Sequence, residues 1–321
     1  MPIVTRFTRS ALIKTPIALA PMAGVSGGAL AAAVTQAGGL GFVAAGYSDA
    51  SQVLEQLGLA GDTPVGVGFL TWRLSEDSSA LDAVLERKPP AVFLSFGDAS
   101  QYASRIKSSG ATLYLQVQTL SAAQQAAEIG ADVIVVQGTE AGGHGARRAL
   151  GPLLREIVCA DLGAIVLAAG GIGDGQSLAS ALMLGADGVV CGTAFYAASE
   201  ALSHRRAKQR AIDVDGDSTS RSDVFDAARG ISWPDGWSLR AYQNELVMRW
   251  NDAANYALAT EEDRFAFAQA VVEGNFDIAP LIVGEGIGLV TRTEPAGETI
   301  DRLMAEAVAS IRKGQAMLRF L

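Results

Sequence analysis

The sequence predicts an α/β fold, a TIM-type (β/α)8 barrel with a small inserted helical subdomain. Three features of the 321 residues point there. Eight short apolar runs rich in Val, Ile, Leu and Ala recur up to residue 191. Each is too short for a helix and nearly continuous in hydrophobicity, as strands buried on both faces are. Segments of helical period lie between them, and the 36 glycines punctuate the run ends instead of forming tandem repeats. Strand then helix, repeated with right-handed crossovers, closes into a barrel.

The strand candidates are Ile17–Ala20, Leu40–Ala45, Val65–Leu70, Ala91–Ser95, Thr112–Val117, Val133–Val136, Ile165–Ala168 and Gly188–Cys191. Gly28–Ala37, Ser51–Leu57, Ser79–Glu86, Ser121–Ile129 and Ser177–Leu184 carry the helical period. An internal echo supports this register: Gly130-Ala131-Asp132 and Gly185-Ala186-Asp187 each precede an apolar run. The glycine there ends a helix in a left-handed conformation and the aspartate opens the turn into the strand. An open doubly wound sheet is the competing fold, and the even spacing of the eight units favours closure. After Phe195 the texture changes. Asp213–Asp223 is polar and turn-like, and residues 233–276 read as helical and rich in aromatics, among them Trp233, Trp237, Trp250, Tyr256, Phe265 and Phe267. Such rings suit a subdomain core; their alternative use is to roof a ligand cleft. Thr299–Leu318 reads as a closing amphipathic helix. Residues 1–205 and 285–321 are thus assigned to the barrel, and 206–284 to a helical subdomain covering its active-site side.

A hydrophobic content of 49% with 18% charged residues describes a large buried core. The net charge of −9 argues against a nucleic-acid groove or an acidic-membrane footprint. The basic cluster around His204, Arg205 and Arg206 reads as a solvated helix face. Cys159 and Cys191 have no metal-type spacing and read as reduced thiols of a cytoplasmic protein. Pro16 and Pro21 interrupt the first apolar run, so neither a signal peptide nor a membrane span is expected.

The chemistry-bearing motifs sit at the ends of the strand candidates. Ala20-Pro21-Met22-Ala23-Gly24 ends the first; its small residues let a flat ligand lie against the main chain, and its bland reading is a tight turn. Gly170-Gly171-Ile172-Gly173-Asp174-Gly175 follows the seventh and opens a helix whose free N–H groups suit a phosphate, with Asp174 able to cap while pointing away. Cys191-Gly192-Thr193 follows the eighth, and loops after strands seven and eight are where barrels of this kind bind phosphate. His144, one of two histidines, lies in Gln137-Gly138-Thr139-Glu140-Ala141-Gly142-Gly143-His144-Gly145 just beyond the sixth strand. A titratable ring on a glycine-rich rim loop is placed to act as a base or ligand-binding group. Glu140 reads as an ion-pair or capping partner. No metal-ligand spacing and no Gly-x-Ser-x-Gly elbow occurs, so a bound cofactor is the natural source of hard chemistry.

These motifs, in this order, resemble the nitronate monooxygenase (2-nitropropane dioxygenase) family. The matching pieces are the segments at Ala20–Gly24, Gln137–His144 and Gly170–Ile172, and Leu184-Gly185-Ala186-Asp187-Gly188-Val189 running into Gly192-Thr193-Ala194-Phe195, with a weaker continuation over Gly284–Leu289. The resemblance implies a barrel holding FMN non-covalently. Ala20, Pro21, Met22 and Gly24 would line the flavin, Gln116 and Gln137 would donate to it, and Gly171, Gly173, Gly192 and Thr193 would hold its phosphate, with Gly143 in the same cofactor-binding set. His144 looks like the family's catalytic base, and the implied reaction oxidises an alkyl nitronate, or a nitroalkane, with O2 to a carbonyl compound and nitrite. Gly68 stands where many relatives carry asparagine, Gln116 where some carry lysine, and Gly145-Ala146 shifts the glycine that relatives place one residue later. The same scaffold resembles FMN-dependent enoyl-acyl-carrier-protein reductases and NAD(P)H:quinone reductases. Further alternatives are a non-catalytic flavin-binding protein and a phosphate-sugar enzyme. The expected partners are a small nitronate or nitroalkane and O2, with self-association left open.

Overall fold

The computed structural model describes residues 2–318. One sheet contains β1 (Ile17–Leu19), β2 (Phe42–Gly46), β3 (Gly66–Leu70), β4 (Ala91–Ser95), β5 (Thr112–Val117), β6 (Val133–Gln137), then, beyond a separate short strand β7 (Gly143–Gly145), β8 (Ile165–Ala169) and β9 (Gly188–Cys191). All of its pairings are parallel, and β9 pairs with β1. The last seam closes through a single bridge between Ala18 and Leu40, just before β2. There Leu40 donates its N–H to the Ile17 carbonyl at 3.0 Å and accepts from Leu19 at 2.9 Å. With neighbours on both sides of β1, the sheet is a closed barrel and the open-sheet alternative is excluded. The strand limits agree with the apolar runs to within two residues.

Side chains that alternate along these strands divide into two cores. One lies between strands and surrounding helices; the other fills the barrel around Phe42, Phe93 and Tyr114. Those three rings pack with centroids 5.2–6.1 Å apart. Gly66 makes their arrangement possible, because a Cβ there would lie 2.4 Å from Phe42 Cε1. The lower mouth is plugged by Phe7, fully buried on the helix Arg6–Ser10, and Gly188 leaves room for it. The Gly-Ala-Asp echo has a shared physical purpose. Gly130 and Gly185 turn with φ of +87° and +100°. Asp132 then accepts from the Leu113 N–H at 2.9 Å and Asp187 from the Val166 N–H at 3.1 Å, each satisfying the start of the preceding sheet strand.

After β9 come the helix Arg205–Asp213, β10 (Thr219–Ser222), the helix Val224–Arg229, β11 (Ser238–Tyr242) and the helices Glu245–Trp250, Ala253–Tyr256 and Glu261–Glu273. Strands β10, β11 and β7 form a three-stranded antiparallel sheet that ties this segment to the loop after β6. The sequence reading contains none of these three strands, which lack an apolar run: β10 is Thr-Ser-Arg-Ser and β7 Gly-His-Gly. Both expected uses of the aromatics occur. Tyr256 and Phe267 join Phe225 and Leu239 in a local core, whereas Trp233 borders the cleft described below and Phe265 is exposed. The long helix Ala296–Met317 then packs on Gly175–Met183 and Gly28–Gln36. Among the described residues no helix is long and apolar enough to cross a membrane. Cys159 is exposed and Cys191 buried, the latter pushed up to about 12 by burial and therefore unreactive.

Two glycine substitutions test this packing. Gly66→Ala should lower the urea-unfolding stability by about 1–3 kcal/mol through overpacking against Phe42. Gly58→Ala, in a helix with open space around the new methyl, should raise it by about 0.5 kcal/mol. Equal effects would contradict the assigned interior.

Candidate active site

A cleft opens at the carboxyl ends of the barrel strands, where backbone turns face outward and side chains from many strands converge. The turn after β1 supplies Ala20, Pro21 and Met22 to its wall. Ser26 Oγ donates to the Ala20 carbonyl at 2.8 Å and holds that turn. Gly24, expected beside them, is exposed and outside the cleft; its φ of +73° serves the turn itself. Gly68 also lines the wall, and a Cβ there would fall 2.3 Å from Pro21 Cβ. The asparagine of many relatives could not occupy this position without moving Pro21.

Adjoining this wall, Gly192 and Thr193 follow β9, the neighbour of β1, and Gly170 and Gly171 follow β8; all four border the cleft. Gly170 and Gly171 have consecutive positive φ values, +111° and +69°, a conformation only glycine adopts without strain. Thr193 Oγ1 accepts from the Gly284 N–H at 2.9 Å, which leaves its hydroxyl proton to donate. Gly173 does not reach the cleft: its N–H donates to Ser177 Oγ at 3.2 Å, and it is packed against Gly286 and Leu289. The helix Gly175–Met183 is also unavailable to an anion. Asp174 caps it through Ser177 N–H, and Glu306 takes the Gly175 N–H at 2.8 Å, so two carboxylates already occupy that positive end. Of the residues expected around a phosphate, Gly171, Gly192 and Thr193 border the cleft and Gly173 does not.

The loop after β6 is built by donors from elsewhere. Arg221 on β10 donates to Thr139 Oγ1 and to the carbonyls of Thr139, Ala141, Gly145 and Ser238 at 2.5–3.4 Å. Arg240 on β11 adds a bond to the Thr139 carbonyl at 2.9 Å and an ion pair with Glu285. Burial first, then the Arg240 charge, brings Arg221 down to about 10, so it remains cationic at neutral pH. Glu140 accepts from Leu150 N–H at the start of the helix Leu150–Cys159, which is a capping role. Gln137 borders the cleft, but its Nε2 donates to the His144 carbonyl at 3.0 Å while its Oε1 accepts from Gln118. It orients the loop before it can address any ligand.

His144 itself is 7% exposed yet borders the cleft, next to Gly143 with φ of +79°. Its Nε2 lies 2.8 Å from Asp226 Oδ2, and Arg229 bonds the other carboxylate oxygen at 2.6 Å. An indole ring, Trp233, stacks on one imidazole face at 3.3 Å and 10°. With Nε2–H given to the carboxylate, the basic lone pair is on Nδ1. Burial pulls the imidazole below the ordinary histidine value, Asp226 only partly offsets this, and Arg229 and Arg221 add to the depression. His144 is thus neutral at pH 7 and oriented by a carboxylate. Asp226 and Trp233 were not readable as its partners: the carboxylate lies 82 residues away, and nothing in local spacing announces the contact.

Gln116 supplies one more observation. Its Nε2 is buried without a hydrogen-bond partner although the residue borders the cleft. A buried orphan donor is costly unless something outside the chain accepts from it. Together with the glycine turns after β8 and β9, this donor fits a planar ligand carrying a hydrogen-bond acceptor and a phosphate.

Comparisons with known proteins agree with this layout. The nitronate monooxygenase family profile matches residues 5–77 and 61–306. A nitronate monooxygenase of Neurospora crassa is 32% identical over 94% of this chain and 92% of its own length. Among solved structures, FabK from Thermotoga maritima superposes with a TM-score of 0.85 at 25% identity, covering 98% of this chain and 99% of that one. A nitroalkane oxidase from Streptomyces ansochromogenes gives 0.79 at 26% identity, covering 96% and 99%.

The Asp226–His144 pair can be tested without turnover, because a second histidine, His204, is exposed and distinguishable. NMR titration of the imidazoles should place His144 below 6.5 with its proton on Nε2. Asp226→Asn removes the charge that favours the imidazolium, so its pKa should fall further and the proton should move to Nδ1. An unchanged tautomer would contradict the assigned pairing.

Proposed function

The chain belongs to the nitronate monooxygenase family, and from that premise we propose that it binds FMN in the rim cleft and oxidises alkyl nitronates with O2 to a carbonyl compound and nitrite. The observation that carries the reading is a neutral, carboxylate-oriented histidine at an apolar cleft that the turns at Gly170–Gly171 and Gly192–Thr193 also border. FMN, when bound, supplies the electron transfer to O2 that no side chain here can provide. Gly170, Gly171, Gly192 and Thr193 would hold its phosphate, Ala20, Pro21 and Met22 would lie against its rings, and Gln116 Nε2 would donate to it.

The chain's own contribution is proton handling and orientation. His144 Nδ1 takes the proton from the carbon next to a nitro group, and Asp226 stabilises the resulting imidazolium without accepting the proton itself. The imidazolium then holds the nitronate anion by a charge-assisted hydrogen bond. When the substrate arrives already ionised, the ring must first take a proton from solvent onto Nδ1 before it can play this second role. Segment 206–284, taken as a subdomain, would act as the substrate-side wall, since it brings Asp226 and Trp233 to the histidine.

Three measurements follow. Purified protein should be yellow and should consume O2 with propane-2-nitronate, whereas anaerobic NADH should bleach it slowly or not at all; rapid bleaching would favour a reductase. His144→Ala should lower the rate on a neutral nitroalkane by about 10²–10⁴-fold and affect the preformed nitronate less. The base must be unprotonated and its pKa is depressed, so the nitroalkane rate should stay level as pH falls from 8 through 6.5 and decline only below that. A decline centred above 6.5 would remove His144 from the role.

A further inference from the structure

The aromatic wall around His144 contains a hydroxyl that the proton chemistry leaves unused. Tyr47, one residue past β2, borders the cleft and is 36% exposed. Its Oη accepts from Trp233 Nε1 at 2.8 Å. An indole N–H only donates, so the phenolic proton has still to be given to an acceptor. Among the described residues no protein group takes it. The indole that fixes this oxygen is the same one that stacks on His144, so a single side chain sets the spacing between the two polar groups. Trp72 supports both from behind, with ring centroids 6.5 Å from Tyr47 and 5.4 Å from Trp233. Arg229 adds a cation to the same wall. Desolvation raises the Tyr47 pKa more than the Arg229 charge lowers it, which keeps the phenol protonated.

We propose that Tyr47 is a substrate-binding residue whose hydroxyl donates to an oxygen of the bound nitronate while His144 addresses the same molecule in the cleft both residues border. The proposal rests on the nitronate reading above. A nitronate carries its charge on two oxygens, and the histidine can hydrogen-bond only one at a time. A second donor fixes the orientation of the reacting carbon as well as adding affinity.

Tyr47→Phe keeps the ring and its packing and removes only Oη. Two probes are used on the FMN-loaded protein: propane-2-nitronate for turnover, and isobutyrate, an unreactive carboxylate of similar shape, for binding by fluorescence titration. The expected result is that KM for the nitronate and Kd for isobutyrate both rise roughly 10–100-fold, with kcat changing less and flavin content unchanged. Trp233→Phe, which removes the indole N–H but leaves the phenol, should change both by less. Equal constants for wild type and Tyr47→Phe, including no isobutyrate binding by either, would overturn the proposal, as would equal losses in the two variants. Wild-type protein inactive on nitronates would instead defeat the proposed function; Tyr47 would then stand or fall on isobutyrate alone.

Discussion

The rim depends on how one loop satisfies its carbonyl groups. Residues 139–145 leave the barrel after β6 and do not pair with the parallel sheet, yet none of them is exposed. Arg221 and Arg240 solve this by collecting the carbonyls of Thr139, Ala141 and Gly145 with two guanidinium forks. Planar, multivalent donors suit that task better than a lysine would. The two forks stand 2.5–3.4 Å from their acceptors, and β7 adds its pairing to β11, so the histidine backbone is fixed from both ends. Only on a backbone so held can Asp226 and Trp233 define the ring plane and tautomer.

Much of this was legible in the chain. Strands buried on both faces must be apolar throughout, so the eight barrel strands announce themselves, and the glycine-rich loop exposes His144 by its position past the sixth. The unreadable part is tertiary. Asp226 looks like one more charge in a polar stretch, and Arg221 sits in a strand with no hydrophobic period. Tyr47 follows a strand as an ordinary loop aromatic would. Glycine was ambiguous in a different way: close packing and anion binding both require it. Gly171 borders the cleft, whereas Gly173, two residues on, is needed for contact with Gly286 and Leu289.

The departures from relatives also acquire a physical meaning. Gly68 lets Pro21 settle against β3, which makes the floor of the cleft flatter and less polar than an asparagine would. Gln116 brings an uncharged donor where a lysine would bring a cation. Neither residue brings a charge to the cleft, whereas Arg229 brings one from the inserted segment.

That division has a temporal side. The imidazole is contributed by the barrel and its carboxylate by a segment made later, while the terminal helix Ala296–Met317 rests on helices Gly28–Gln36 and Gly175–Met183. During synthesis, a nascent chain emerging from the ribosome can assemble most of the barrel wall long before the groups that tune its histidine exist. Competence therefore waits until Asp226 and Trp233 have been made, and loss of the helix Ala296–Met317 would uncover the flanks of both early helices.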